Sequence, residues 1–144
     1  MKRDWRKRAP PARSPKLWAE EFVAAFEAKT GYRAPVAQLE TIAARDARLR
    51  ERIPANVVSL TVQSANAAGI AFPVWLQMAR RYSGLLTKQE KAVRCSLKEL
   101  RQLLGATQPA LVRVVQANPV FLCYGKDTLR RRRGRLRRIS VLFR

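Results

Sequence analysis

A likeness of the chain to itself constrains its fold most. Shifted by 36 residues, GIAFPVWLQMARRYSGLLTKQEKAVRCSLKELRQLL (69–104) falls on GATQPALVRVVQANPVFLCYGKDTLRRRRGRLRRIS (105–140) without a gap. Gly69 meets Gly105, Pro73 meets Pro109, Leu86 meets Leu122, Arg94 meets Arg130 and Leu100 meets Leu136. Trp75, Met78, Leu85, Val93 and Leu103 meet Leu111, Val114, Phe121, Leu129 and Ile139. A more worn copy lies one period earlier, with Leu39, Ile42, Ala43, Leu49 and Val57 at the positions of Trp75, Met78, Ala79, Leu85 and Val93. It lacks the glycine, and its Pro35 stands two places out of register. A recurring frame of apolar positions and breakers is the mark of a supersecondary unit that cannot bury its own face and must stack on its neighbours.

Each unit reads helix, tight turn, helix. Pro73 and Pro109 suit a first helical turn, Tyr82-Ser83-Gly84 and Asn118-Pro119 break the helix, and a second helix starts near Glu90 or Asp127 and runs to the next glycine. LWAEEFVAAFEAK, with Leu17, Phe22, Ala25 and Phe26 on one side, reads as a capping helix. No segment alternates with the period of two that a sheet needs. The expectation is an all-α fold of one domain: a right-handed or otherwise superhelical stack of about three 36-residue repeats (33–68, 69–104, 105–144) behind a capping helix 17–30 and an extended basic arm 1–16.

The net charge of +20, from 30 basic and 10 acidic residues, opposes compaction unless a polyanion neutralises it. Twenty-two of the 30 are arginine, whose planar fork grips phosphate bidentately, so nucleic acid is the expected partner rather than an anionic membrane. The charge is uneven: residues 1–18 are +6, 19–62 neutral, 63–125 +6 and 126–144 +8.

Seven arginines lie between Arg130 and Arg138, with Leu129, Leu136, Ile139 and Phe143 recurring at helical spacing among them. This predicts one amphipathic helix, N-capped by Asp127, whose wet side is arginine. Arg130, Arg131, Arg133, Arg135, Arg137 and Arg138 are the first candidates for RNA phosphate, because such a helix repels itself unless anions intervene. Arg132, at the edge of the apolar stripe, is expected to lie over the core. In the arm, Lys2, Arg3, Arg6, Lys7, Arg8, Arg13 and Lys16 stand among Trp5 and three prolines, the composition of an extended strand laid on RNA with Trp5 free to stack on a base. The arm is read as retained protein rather than a cleaved leader. Arg80, Arg81 and Arg113 on first helices are second-rank contacts, and Trp18 and Trp75 are core.

The chain has no histidine and two cysteines, Cys95 and Cys123, read as reduced packing residues, so it lacks the ligands of a structural zinc site. No paired carboxylates, glycine-rich phosphate loop or Ser or Cys with a base stand out, and Glu90, Glu99 and Asp127 read as helix-start or surface charges. The expectation is a protein that is not an enzyme, with no cofactor, no metal and no small-molecule substrate.

The unit ALVRVVQANPVFLCYGKDTLRRRRGRLRRI, with Pro119, Leu122, Leu129 and Leu136, resembles the repeat of the mitochondrial transcription termination factor (mTERF) family. In the preceding unit Ser83 replaces the proline while Leu85, Leu86, Val93 and Leu100 keep the frame, and in the first unit Ala47 stands there. The resemblance spans about residues 36–144. It implies a superhelical repeat scaffold with a basic surface that holds nucleic acid in mitochondria or chloroplasts. Three repeats are fewer than duplex-gripping members usually have. The resemblance and composition together lead to an expected structural protein of a mitochondrial ribosome, bound to ribosomal RNA and to neighbouring ribosomal proteins, with a lean to the large subunit. The alternative is an organellar transcription termination or RNA-metabolism factor that binds DNA or RNA transiently.

Overall fold

The computed structural model describes residues 13–141 and, within them, all side chains but those of 137 and 139–141. Every regular element among these residues is helical. Helix α1 (Pro15–Thr30) opens on Ser14, whose hydroxyl accepts from the Leu17 N–H at 3.2 Å, while Pro15 sits in the first turn, where its missing N–H goes unneeded. The helix therefore takes Pro15 and Lys16 from the expected arm. It closes at Gly31, in the left-handed region at φ 79°. Its buried side is a stack of Trp18, Phe22 and Phe26, with successive centroids 5.3 and 5.6 Å apart. Leu17, expected on that side, is 47% exposed.

Element boundaries after α1 recur every 36 residues. The short helices α2 (Val36–Arg45), α5 (Phe72–Arg81) and α7 (Gln108–Ala117) begin at 36, 72 and 108 and end at 45, 81 and 117. Each stops at a residue with φ between −131° and −144°: Asp46, Tyr82 and Asn118. A tight turn follows from 47, 83 and 119, namely α3 (Ala47–Arg50) and the 3-10 turns Ser83–Thr87 and Pro119–Leu122. Long helices then begin at 54, 90 and 126: α4 (Pro54–Ala68), α6 (Glu90–Leu104) and α8 (Lys126–Arg131), continued by α9 (Arg133–Val141). Gly69 and Gly105 close α4 and α6 at φ 68° and 58°, the C-cap role expected of them. Helices α4 and α5 meet at 109°.

Long helices pack on long helices, α1 on α4, α4 on α6 and α6 on α8 and α9, while α2, α5 and α7 pack in a second row beside them. One core fills the space between. It contains the apolar frame of all three sequence copies, from Leu39, Ile42 and Leu49 through Trp75, Met78 and Leu85 to Leu111, Val114, Leu122, Leu129 and Leu136. Hydrogen bonds follow the same register. The carbonyls of Arg52, Lys88 and Tyr124, each just past a tight turn, accept from Trp18 Nε1 (3.1 Å), Ser64 Oγ (2.8 Å) and Ser96 Oγ (3.0 Å) on the preceding long helix. Such carbonyls lie outside a helical ladder and, partly buried, take a side-chain donor instead.

The expected single arginine helix is two. Gly125, not Asp127, is the N-cap of α8, and Asp127 lies in the first turn, where its charge suits the helix dipole. The break comes at Arg132 (φ −96°, ψ 14°), whose N–H is shared between the carbonyls of Thr128 and Leu129. Gly134 lowers helical propensity there, and the four consecutive arginines before it repel one another. Leu129 and Leu136, either side of the break, are still buried; Ile139 and Phe143 of the expected stripe lie outside the described side chains.

Candidate nucleic-acid interface

The helices α8 and α9 turn Arg131, Arg133, Arg135 and Arg138 outward, as the spacing predicts. Two neighbours are held back. Arg132 lies with its guanidinium 4.8 Å from the centre of the Tyr124 ring, over the apolar stripe's edge as expected. Arg130 donates through Nε to Glu99 Oε1 at 2.7 Å, with its own side chain 53% exposed. Glu99 itself, expected at the surface, is buried, because α6 turns that position toward α8. The side chain of Arg137 lies outside the described residues.

The sequence reading missed a second row of cations. Lys91, Arg94, Lys98 and Arg101 are all exposed along α6, at intervals of three and four opposite the buried Val93, Leu100 and Leu104. The signal was present in that interval, which places all four on one helix face. Arg94, Leu97, Lys98 and Arg101 form one wall of a groove of about 260 Å³, closed by Ala67 of α4 and Gln108 of α7, and Arg101 donates to the Gln108 side chain. Helix α6, which carries this row, packs directly against α8 and α9, which carry the other.

Few carboxylates accompany the two rows. Residues 90–141 carry 13 basic and three acidic side chains. Glu90 is paired with Arg94 at 2.7 Å and Glu99 with Arg130, which leaves Asp127 at the start of α8. The long helix on the other flank, α4, has no charged residue. Guanidinium forks and ammonium groups are the side chains that can bind phosphates of a polyanion, with an affinity that falls with salt.

The remaining sequence candidates are dispersed. Arg80, Arg81 and Arg113 belong to the other row of helices, α5 and α7, of which α7 also packs against α9. Arg80 borders a groove of about 400 Å³ with Gln38, Thr41 and Gln77, and Arg113 is exposed. Arg81 donates to the Ala117 carbonyl at 2.8 Å and so completes the end of α7. At the N-terminal end Arg13 pairs with Glu21 at 2.8 Å and Lys16 is exposed. Lys2, Arg3, Arg6, Lys7 and Arg8, with Trp5, lie outside the described residues.

Both cysteines are free thiols, Cys95 exposed on α6 and Cys123 half-buried beyond the last 3-10 turn. Burial pushes the Cys123 thiol above the usual range, and Lys88 partly offsets that rise. Among the described residues no three or more Cys, Asp or Glu side chains gather as metal ligands, and no single helix is long and apolar enough to cross a membrane. No protein-family model matches the chain, and searches of curated proteins and of solved structures return no match either.

Proposed function

We infer that the chain is a structural RNA-binding protein of a mitochondrial ribosome, a short mTERF-like superhelical stack of three 36-residue repeats. In this reading α6, α8 and α9 lie on ribosomal RNA, and neighbouring ribosomal proteins cover other faces of the stack. The boundaries that recur at 36, 72 and 108, and the carbonyls that recur at 52, 88 and 124, support the repeat architecture.

The single observation that carries the functional reading is the basic face itself. Eight exposed cations, Lys91, Arg94, Lys98, Arg101, Arg131, Arg133, Arg135 and Arg138, stand on adjoining helices beside paired carboxylates. A solvated face normally interleaves both signs, whereas a face that neutralises phosphates does not need to. Arginine predominates, as it does where planar forks meet phosphate oxygens.

The test is sedimentation. Tagged protein in organelle lysate should travel with one ribosomal subunit through a sucrose gradient and stay there after a high-salt wash. Release by the wash into light fractions would support a transient DNA- or RNA-binding factor instead. Residence only on immature particles would mark an assembly factor, and recovery in plastids rather than mitochondria would change the organelle.

A further inference from the structure

Glu99 is out of place in a face built to bind phosphate. It lies between Lys98 and Arg101 on α6, it is 6% exposed, and it holds a negative charge within reach of the arginine helices. A carboxylate retained there must do something that outweighs its repulsion of a polyanion. Its hydrogen bond shows what. Glu99 Oε1 accepts from Arg130 Nε at 2.7 Å, and the Nη1 and Nη2 groups of Arg130 make no hydrogen bond to any described residue.

We propose that Glu99 is a positioning residue that holds Arg130 by its Nε edge, so that the outer edge of the guanidinium is presented to a phosphate of bound RNA. The proposal rests on the RNA-binding reading above and names the ligand group at one place in that face. An arginine has five N–H donors in a rigid fork, so one edge can be anchored while the other stays free. A free arginine loses side-chain entropy when it grips phosphate, and one already held by a buried carboxylate loses less. The burial matters for the same reason. At 7% side-chain exposure Glu99 has little room to move, and α6 carries it at a fixed position relative to α8. Arg130 therefore stands at the seam between α6 and α8.

The experiment uses the full chain, a fluorescein-labelled stem-loop RNA as probe, and Kd measured by anisotropy across a salt series. If Glu99 were only a misplaced charge, any substitution that removes it would tighten binding. Positioning predicts the reverse sign for one of two variants. Glu99→Met removes the acceptor at similar volume and should weaken binding by roughly fivefold near 0.1 M salt, with a slope flatter by ~0.7, the equivalent of one phosphate fewer neutralised. Glu99→Gln keeps an acceptor oxygen at the same place and should bind within about twofold of the parent, or tighter. In an Arg130→Gln background Glu99→Met should no longer weaken binding, since its weakening acts through Arg130. Arg130→Lys guards against misfolding at the buried position: it keeps the charge but has one ammonium for two partners, and should give up the same phosphate. Glu99→Met or Arg130→Lys binding as tightly as the parent, with an unchanged slope and an intact circular dichroism spectrum, would overturn the proposal. Parent protein that shows no salt-dependent RNA binding would instead refute the RNA-binding reading, and the proposal with it.

Discussion

Trp18 and Trp75 are both fully buried, yet their indole nitrogens have opposite fates. Trp18 Nε1 donates to the Arg52 carbonyl, whereas Trp75 Nε1 is buried without a partner, at a position that Leu39 and Leu111 occupy 36 residues before and after it. Phenylalanine in place of either leaves a similar void but removes a made bond in one case and an unmet donor in the other. Trp18→Phe should therefore be the more destabilising by about 1 kcal/mol or more, measured by urea unfolding. The two cysteines differ as clearly. Cys95 should react with a thiol reagent at mildly alkaline pH well before Cys123, whose raised pKa and partial burial keep it protonated. Because the folded protein holds the Cys123 proton more tightly than the unfolded chain, its contribution to stability is present below the ordinary thiol pKa. That contribution is lost as pH climbs through the raised value. Cys123→Ala should reduce this alkaline loss in a pH series of thermal melts.

The elements take their ends from backbone geometry. Gly105 closes α6 at φ 58° with open space where a Cβ would stand, so Gly105→Ala meets no neighbour and costs only left-handed strain, about 1 kcal/mol. Gly134, in α9, has no positive φ and equally open space, so Gly134→Ala should stabilise by up to ~1 kcal/mol through helix propensity. Two glycine-to-alanine changes thus carry opposite signs, and paired denaturation curves check both. The same helix supplies a control for binding. Leu136 is buried beneath the arginines, so Leu136→Ala should cost roughly 2 to 4 kcal/mol of stability. The salt slope of RNA binding by the folded protein should stay the same. Helices α8 and α9 turn leucine inward to the core and arginine outward to solvent.

At the scale of the whole molecule, the net charge of +20 makes salt act in two directions. Added salt screens self-repulsion, so the melting temperature of the isolated protein should rise with ionic strength, and rise further with RNA. Affinity for RNA should fall over the same range. The extent of the interface can be read from two separate sets of changes to glutamine. Lys91, Arg94, Lys98 and Arg101 form one set, and Arg131, Arg133, Arg135 and Arg138 the other. Each set should flatten the slope of log K against log salt by up to ~0.7 to 0.9 for every phosphate that is no longer neutralised. An unchanged slope in the first set would confine the interface to α8 and α9.

The sequence by itself determined the local pattern: helix class, 36-residue spacing of elements, glycine caps and nearly all of the core frame. Those features are written in periodicity and breakers, which act over one or two turns and need no knowledge of neighbours. It also placed the outward arginines of α8 and α9, because a helix with leucine on one side has only one other side to offer. Tertiary structure decided which charged groups meet. Glu99 and Arg130 are 31 positions apart, and nothing local marks Glu99 as buried until α8 packs on α6. Arg81 is turned to the Ala117 carbonyl, Arg13 to Glu21 and Arg132 to Tyr124 for the same reason. The row on α6 shows the converse. Its helical spacing was in the sequence, but only the tertiary structure sets α6 beside α8 and α9, since a helix face is local while the packing of helices is not.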